Sequence, residues 1–448
     1  MYNYKIWKMR KFVLATCVFM VQAVLLSVNA QQIKIDFEEY DLDNGLHVIL
    51  HEDHSTPIVT VSVMYHVGAK NERPDRTGFA HFFEHLMFEG TQNIARGDYS
   101  KYVERAGGSL NANTTNDRTY YYEVMPSNQL ELGLWLESER MLHAKVDSIG
   151  IQTQKRVVIE EKKQRYDNAP YGKILPATLS RSFEKHPYRW TTIGEAEHIM
   201  AATDEEFKQF YEQFYVPNNA VLVLAGDIDK AEAKKMVEKY FGGIPKGTKE
   251  IYRPNIIEPI KTAEVRDTVY DNIQIPAIIQ AYHIPALGTS DYYAVQMLSN
   301  LLSGGESSRL YKSLVNEKQM AMQVASFPMP FEDPGLALTF ALPNMGTDLT
   351  ELEKAMETEL DKVKNELISE REFQKLKNQF ENQVVSSNAT LESRANNLAD
   401  NYTYFKNTGR INTELEKYSM VSREDIKRVA NLYFKKENRA VIYYLPKN

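Results

Sequence analysis

The sequence predicts an α+β fold made of two related domains, and three observations support this prediction. The chain has 448 residues with 43% apolar and 25% charged side chains, a composition typical of folded soluble proteins. A segment of the first half, 206–224, aligns without a gap to a segment of the second half, 425–443. A stretch with several glycines and prolines lies between the halves, as expected of a linker.

The repeated unit reads as an amphipathic helix, an aromatic pair, a polar turn and a buried strand. An apolar strand at 57–63 has a counterpart at 275–281, and each is followed by a loop and a helix. These pairs of segments indicate an internal duplication. Chance similarity of two helix–strand units is the alternative.

The linker defines the predicted domain boundaries. Gly242 to Gly247 is followed by Pro254 and Pro259, and such clusters punctuate elements. We therefore expect an N-terminal domain at 31–245, a linker at 246–261 and a related C-terminal domain at 262–448.

The N-terminal segment, 1–30, has the layout of a secretory signal peptide. Basic side chains precede an apolar run at 12–28, and Val28-Asn29-Ala30 resembles a cleavage site. The sequence thus predicts export, with a periplasmic location. A membrane-anchored form with an uncleaved segment is the alternative. The apolar run is just short of a comfortable bilayer span, and this borderline length keeps the alternative open.

Charge and cysteine content argue against a nucleic-acid partner and limit the possible metal ligands. The chain has 53 basic and 60 acidic residues and no basic tail, which argues against a nucleic-acid partner. Cys17 is the one cysteine, so no intramolecular disulfide can form. Any metal site must use histidine and carboxylate ligands.

The chemistry is concentrated in His81-Phe82-Phe83-Glu84-His85. Histidines at positions i and i+4 project from one face of a helix, so both imidazoles can reach one ion. Glu84 lies beside that face and could take a proton from a zinc-activated water. The order H-x-x-E-H is the inverted zincin signature. Two exposed histidines beside a surface glutamate are the alternative.

Catalytic zinc usually has three protein ligands, so a third must come from elsewhere. A polar helix is predicted at 154–167, with Val157 and Val158 on one face. Glu161 falls on that stripe, whereas Glu160 points roughly 100° away. Glu161 is therefore the favoured ligand and Glu160 the second choice.

These motifs resemble the pitrilysin/insulinase family of metallopeptidases, and most closely the subgroup of mitochondrial processing peptidases and their bacterial relatives. The resemblance spans nearly the whole mature chain. It implies two related domains, each a mainly antiparallel sheet covered by helices, with the second domain inactive. It also implies one Zn²⁺ per chain held by His81, His85 and Glu161. The matching segments are 44–48, 78–91, 157–161, 168–172, 215–219 and 307–310.

The resemblance further implies a substrate-binding strand at 108–114, in which Asn111 and Ala112 match substrate-contacting positions of the family. An extended peptide would pair with this strand through main-chain hydrogen bonds. An ordinary hairpin is the alternative.

The chain departs from the family at two points. Self-sufficient members carry an arginine and a tyrosine where this chain has Val315 and Met322, which donate no useful hydrogen bond. An acidic residue that is frequent in the family is replaced by Gln154. We therefore expect a second homologous subunit to supply the Arg/Tyr pair, unless another donor such as Tyr311 replaces it.

Together these features predict a zinc endopeptidase that hydrolyses extended peptides or short unfolded segments, as the catalytic subunit of a heterodimer. A non-catalytic scaffold subunit and a self-sufficient homodimeric peptidase are the alternatives.

Overall fold

The computed structural model describes residues 34–447 and places their strands in two sheets. The predicted signal peptide at 1–30 lies outside the described residues. The strands of the first sheet are β1 (Glu38–Asp41), β2 (His47–Glu52), β3 (Ile58–Tyr65), β4 (Ser109–Thr114), β5 (Thr119–Pro126) and β6 (Ala220–Gly226). Their spatial order is β1-β2-β6-β3-β5-β4, and only β2 and β6 pair in parallel.

The second sheet repeats this arrangement with one strand fewer. Its strands are β7 (Val265–Asp271), β8 (Ala277–Ile284), β9 (Ala321–Met329), β10 (Gly335–Pro343) and β11 (Arg439–Pro446). Their order is β7-β11-β8-β10-β9, again with one parallel pair, β7 and β11. The separation in sequence between the starts of β3 and β8 equals that between the starts of β6 and β11, in agreement with the repeat in the sequence.

Helices cover the sheets in both halves. Those of the first half are α1 (Phe79–Leu86), α2 (Tyr99–Arg105), α3 (Leu130–His143), α4 (Ser148–Lys162), α5 (Ile174–Ser182), α6 (Ala196–Ala201), α7 (Asp204–Phe214) and α8 (Lys230–Phe241). Those of the second half are α9 (Ser290–Ser303), α10 (Leu349–Asn365), α11 (Glu370–Ser386), α12 (Leu391–Phe405), α13 (Glu414–Ser419) and α14 (Arg423–Tyr433).

The repeated helix–strand unit has the same local signals in both copies. Helix α7 begins with a capping box between Thr203 and Glu206, and α14 with one between Ser422 and Asp425. A capping box satisfies two backbone donors at a helix start. Each helix then buries an apolar face and leads into a central strand, β6 or β11.

Two helices cross between the halves. Helix α5 of the first half packs on β8 and β11 of the second sheet, and α12 of the second half packs on β3 and β6 of the first. Buried side chains of α5, including Ala177 and Leu179, therefore belong to cores of the second sheet.

The two sheets and their helical layers confirm the predicted α+β fold. The predicted linker falls between α8 and β7, where the chain has no regular element. The exact domain boundaries, 31–245 and 262–448, stay predictions. Across residues 34–447, no helix combines the length and apolarity needed to cross a membrane.

Candidate metal centre and substrate strand

Helix α1 is seated on an aromatic cluster. Phe79 and Phe82 stack on Phe207 of α7 at ring-centroid distances of 4.6 and 4.3 Å, and Phe83 stacks on Phe210 at 5.4 Å. Buried aromatic rings contribute large apolar areas with defined geometry. This packing fixes the rotation of the helix and therefore the direction of its polar residues.

The start of α1 is unusual. Gly78, the residue before the helix, has φ +94°, and an added Cβ there would lie 2.5 Å from the Ile193 carbonyl oxygen. It has no side chain to cap the helix. The buried carboxyl group of Glu72 does so instead, accepting hydrogen bonds from the backbone nitrogens of Gly78 and Ala80, both at 2.8 Å. Burial raises the pKa of Glu72 to about 8.

Three predicted ligand side chains meet beside α1. Nε2 of His85 lies 3.1 Å, and Nε2 of His81 3.6 Å, from Oε2 of Glu161 on α4. One ligand atom from each residue lies within 4.8 Å of the others. The i, i+4 spacing on α1 and the packing of α4 against it produce this cluster.

His81 and Glu161 have the protonation states that a metal requires at neutral pH. Burial, with the neighbouring His85 ring as a smaller cause, lowers the pKa of His81 to about 4. The nearby His85 side chain is the main cause that lowers the pKa of Glu161 to about 2. Neutral imidazole and ionised carboxylate are the forms that bind metals.

The cluster fits a zinc ion. Oε2 of Glu161, the carboxylate oxygen nearest to both histidines, is buried and accepts no well-aligned hydrogen bond among the described residues, although buried polar atoms are normally satisfied. Two imidazoles and one carboxylate are a donor set that catalytic zinc uses.

Glu160, the second choice, lies away from the cluster. Its side chain is 58% exposed and approaches Lys163 at 3.7 Å. The choice between the two glutamates assumed that Val157 and Val158 lie on one buried face of the helix. This assumption is only half correct, because Val158 is buried but Val157 is 43% exposed.

Several residues not predicted from the sequence hold Glu161 and its helix. Arg165 donates to Oε1 of Glu161 at 2.8 Å, which leaves Oε2 to the histidines. In the middle of α4, Gln154 donates to Glu89 at 2.6 Å, and Arg96 pairs with Glu89 and with Asp147, the N-cap of this helix. Gln154 thus links α4 to the loop after α1 without being acidic.

Glu84 lies on α1 between the two histidines. Its carboxyl is partly buried, and this burial raises its pKa above the ordinary value of 4.5. It is thus placed beside the ligand cluster without belonging to it.

The predicted substrate strand is β4, an edge strand that pairs with β5 and packs on α1. Ala112 packs against the core, and Asn111 is exposed. Oδ1 of Asn111 accepts a hydrogen bond from the backbone nitrogen of Ala112 at 2.9 Å.

The two positions at which self-sufficient family members carry the Arg/Tyr pair lie in the second half. Val315 is half-buried against the second core, within a π-helical turn at Tyr311–Glu317. Met322 lies on β9 and is 53% exposed. Tyr311 is in the same turn as Val315.

Comparisons with known proteins establish the family of this chain. Residues 47–195 match the family model described as Insulinase (Peptidase family M16), and residues 201–380 match that of the Peptidase M16 inactive domain. The zinc protease PqqE of Helicobacter pylori is 30% identical over 423 residues, covering 94% of this chain and 95% of the relative. The chain therefore belongs to the insulinase family of peptidases, family M16.

Solved structures show the same architecture. The crystal structure of a protease from Helicobacter pylori matches with a TM-score of 0.88 at 29% identity, covering 92% of this chain and 100% of that chain. The periplasmic protease PqqL from Escherichia coli matches with a TM-score of 0.75 at 17% identity, covering 92% of this chain but 48% of that one.

Proposed function

We propose that this protein is a zinc metalloendopeptidase that cleaves extended peptides or short unfolded segments. His81, His85 and Glu161 would hold one zinc ion. Their meeting beside Glu84 is the observation that carries the proposal. The name of the Helicobacter pylori relative, a zinc protease, supports it.

Each part of the site has its own task. When bound, zinc would supply Lewis-acid activation of water and of the scissile carbonyl. Glu84 takes the proton of the attacking water and passes it to the leaving amine. Strand β4 binds the peptide main chain, with Asn111 and Ala112 at the pairing edge, and so orients it without requiring one sequence.

The test uses the purified mature chain, loaded with zinc, and a pool of unstructured peptides read by mass spectrometry. Glu84→Gln should lower cleavage by about 10²–10⁴-fold, the usual contribution of a general base, and keep its zinc. Glu161→Gln should lose zinc, measured by elemental analysis. Glu160→Gln is the matched control and should keep both zinc and activity.

Each result tests a different part of the proposal: the general base, the catalytic role and the choice of the third ligand. Cleavage that survives Glu84→Gln would remove the assigned base. A chain that binds no zinc would favour the non-catalytic scaffold. Loss of zinc in Glu160→Gln but not in Glu161→Gln would reverse the ligand assignment.

We further propose that the chain works with a second homologous subunit. Val315 and Met322 offer no donor to the developing oxyanion, and loss of such a donor typically costs about 10²–10³ in rate. This chain covers 48% of the PqqL chain, and it covers 93% of the separately solved first half of PqqL. The PqqL chain thus continues beyond the part that this chain matches. We take this as support for the pairing of this chain with a second, separate subunit.

Activity of the isolated chain decides this point. Full cleavage by a monomer or homodimer would show a self-sufficient enzyme with another donor, such as Tyr311. Zinc-loaded chain that cleaves only after addition of a co-purifying relative with an Arg/Tyr pair would support the heterodimer.

We also propose export to the periplasm, because the segment at 1–30 has the layout of a signal peptide. N-terminal sequencing of the exported protein tests this. A first residue at Gln31 would establish cleavage, and an intact N-terminus would indicate a membrane-anchored form.

A further inference from the structure

The turn that joins β4 to β5 is tied to both halves. Within it, Asp117 is 3% exposed. One carboxylate oxygen accepts from the Tyr188 hydroxyl at 2.6 Å and lies 3.1 Å from Nζ of Lys70. The other accepts from the backbone nitrogen of Glu332, in the second half, at 3.0 Å. The substrate strand therefore ends at a turn that is bonded across the interface.

The partner of this turn in the second half is the turn between β9 and β10. Its Glu332 pairs with Lys70, and its Asp333 lies 3.2 Å from Nζ of Lys70. Pro330 and Pro334 flank these acids and restrict the backbone, and Phe331 is packed in a buried cluster. This turn is a rigid anchor.

Lys70 stands between the two turns. Its backbone nitrogen donates to the Asn116 carbonyl at 2.8 Å. The nearby Gly68 lies so close to this turn that an added Cβ would be 2.5 Å from the Asn116 carbonyl. Lys70 is 4% exposed, and a buried ammonium needs charged partners. One buried cation thus joins the hairpin of the substrate strand to the hairpin of the other half.

We propose, on the basis of the proposed function, that Lys70 is a positioning residue for the substrate. Together with Asp117 it fixes β4 against the second half. As an edge strand, β4 has a neighbouring strand on one side only, so its position depends on β5, on the helices packed against it and on the turn. The half without the metal ligands would then hold the strand that receives the peptide, although it makes no catalytic contact.

The test measures binding in the zinc-loaded Glu84→Gln chain, where no peptide is consumed. In this background Lys70→Met should raise the Kd of a long, labelled, unstructured peptide about tenfold, because small misplacements of a binding element are costly. Zinc content should not change. Hydrogen exchange should rise in 109–119 and stay unchanged in α1. Lys70→Arg should restore binding to within about twofold, because it keeps the charge.

The control is Arg309→Met, which breaks a similar part-buried pair with Glu372 inside the second half. It should leave the Kd and the exchange of β4 unchanged. If Lys70→Met does not fold, the pair Glu332→Gln and Asp333→Asn removes the ion pairs of Lys70 with the second half from the partly exposed side and keeps its pair with Asp117.

The outcomes separate this proposal from the proposed function. Unchanged exchange in β4, or faster exchange with an unchanged Kd, would overturn the role of Lys70 while cleavage by the parent chain stands. A parent chain that neither binds nor cleaves peptides would overturn both. Peptides too short to pair along β4 should bind equally to the chains with and without Lys70→Met, and an equal loss for short and long peptides would contradict a role through β4.

Discussion

The two halves have the same scaffold, but within residues 34–447 the metal-type cluster is found only in the first. Helix α1 follows β3 and carries the two histidines, whereas α9 follows β8 and buries apolar residues such as Met297 and Leu298. The site thus arises from differences on one helix and its neighbours. The sheet is common to both.

Helices α1 and α9 also differ in how their first turns are capped. Helix α9 has an ordinary N-cap, in which the Thr289 side chain accepts from the backbone nitrogen of Tyr292. Helix α1 relies on Glu72, which lies in the loop that precedes Gly78. Helix α1 therefore takes its position from a contact with that loop, while its counterpart α9 is capped by the residue next to it.

Each half also contains a deeply buried arginine. Arg140 is enclosed by Phe88, Tyr99 and Tyr121, with ring centroids 4.4–4.6 Å from its guanidinium carbon. Its partners Glu123 and Glu137 are fully buried, and this burial raises both of their pKa values.

Arg439 of the second half also has acidic partners, but water reaches some of them. It contacts Glu264, Glu353 and Glu357, and the first and last are 21% and 19% exposed. Water can therefore solvate these acids if the arginine is lost.

The largest effect is expected when these arginines are removed. Arg140→Met should lower the free energy of unfolding by about 3–5 kcal/mol, because it leaves two fully buried acids without their cationic partner. Arg439→Met should cost about 2 kcal/mol, because water reaches its partners. Urea denaturation measures both. Equal losses would contradict the difference in solvation between the halves.

The second prediction compares the two helix caps. Glu72→Ala should cost about 3 kcal/mol, since it removes two hydrogen bonds to a carboxyl group and leaves buried donors unpaired. Thr289→Ala should cost about 1 kcal/mol, the usual value for an N-cap. Glu72→Ala should also weaken zinc binding, measured by competition with a chelator. Unchanged zinc affinity would show that α1 holds its position without this cap.

The third prediction concerns the contact between the halves at low pH. Burial raises the pKa of Glu332, but His66 and Lys70 outweigh it and bring the pKa down to about 2. The unfolded chain protonates this carboxyl near pH 4.5, so stability is lost as the pH falls from 4.5 towards 2. Glu332→Gln should lessen this acid loss by about 1–2 kcal/mol, a value reduced for partial exposure. Urea titrations at pH 5 and pH 3 measure it, and an equal acid loss in both chains would contradict the shift.

The parts of the site that could be predicted are those set by local periodicity. The spacing of His81 and His85 follows from one helix, and the repeat followed from similar helix–strand units. Glu72 could not be found, because a lone acid in a loop is normally solvated and only the folded chain brings it to α1. The packing of α5 and α12, each on the sheet of the other half, likewise could not be predicted from the sequence. It rests on contacts between distant residues, such as the packing of Ala177 of α5 in one buried cluster with Ile279 of β8.

The smallest effect is expected at Arg165, which contacts Glu161 from the surface of the first half. Arg165 donates to Glu161, but its side chain is 65% exposed, and exposed pairs contribute little. Arg165→Gln should therefore weaken zinc affinity by about two- to fivefold, and Lys163→Gln, beside Glu160, should leave it unchanged. A chelator competition measures both. A loss above about a hundredfold would mean that Arg165 is needed to orient the carboxylate, and that the metal site depends on this exposed residue as much as on its buried neighbours.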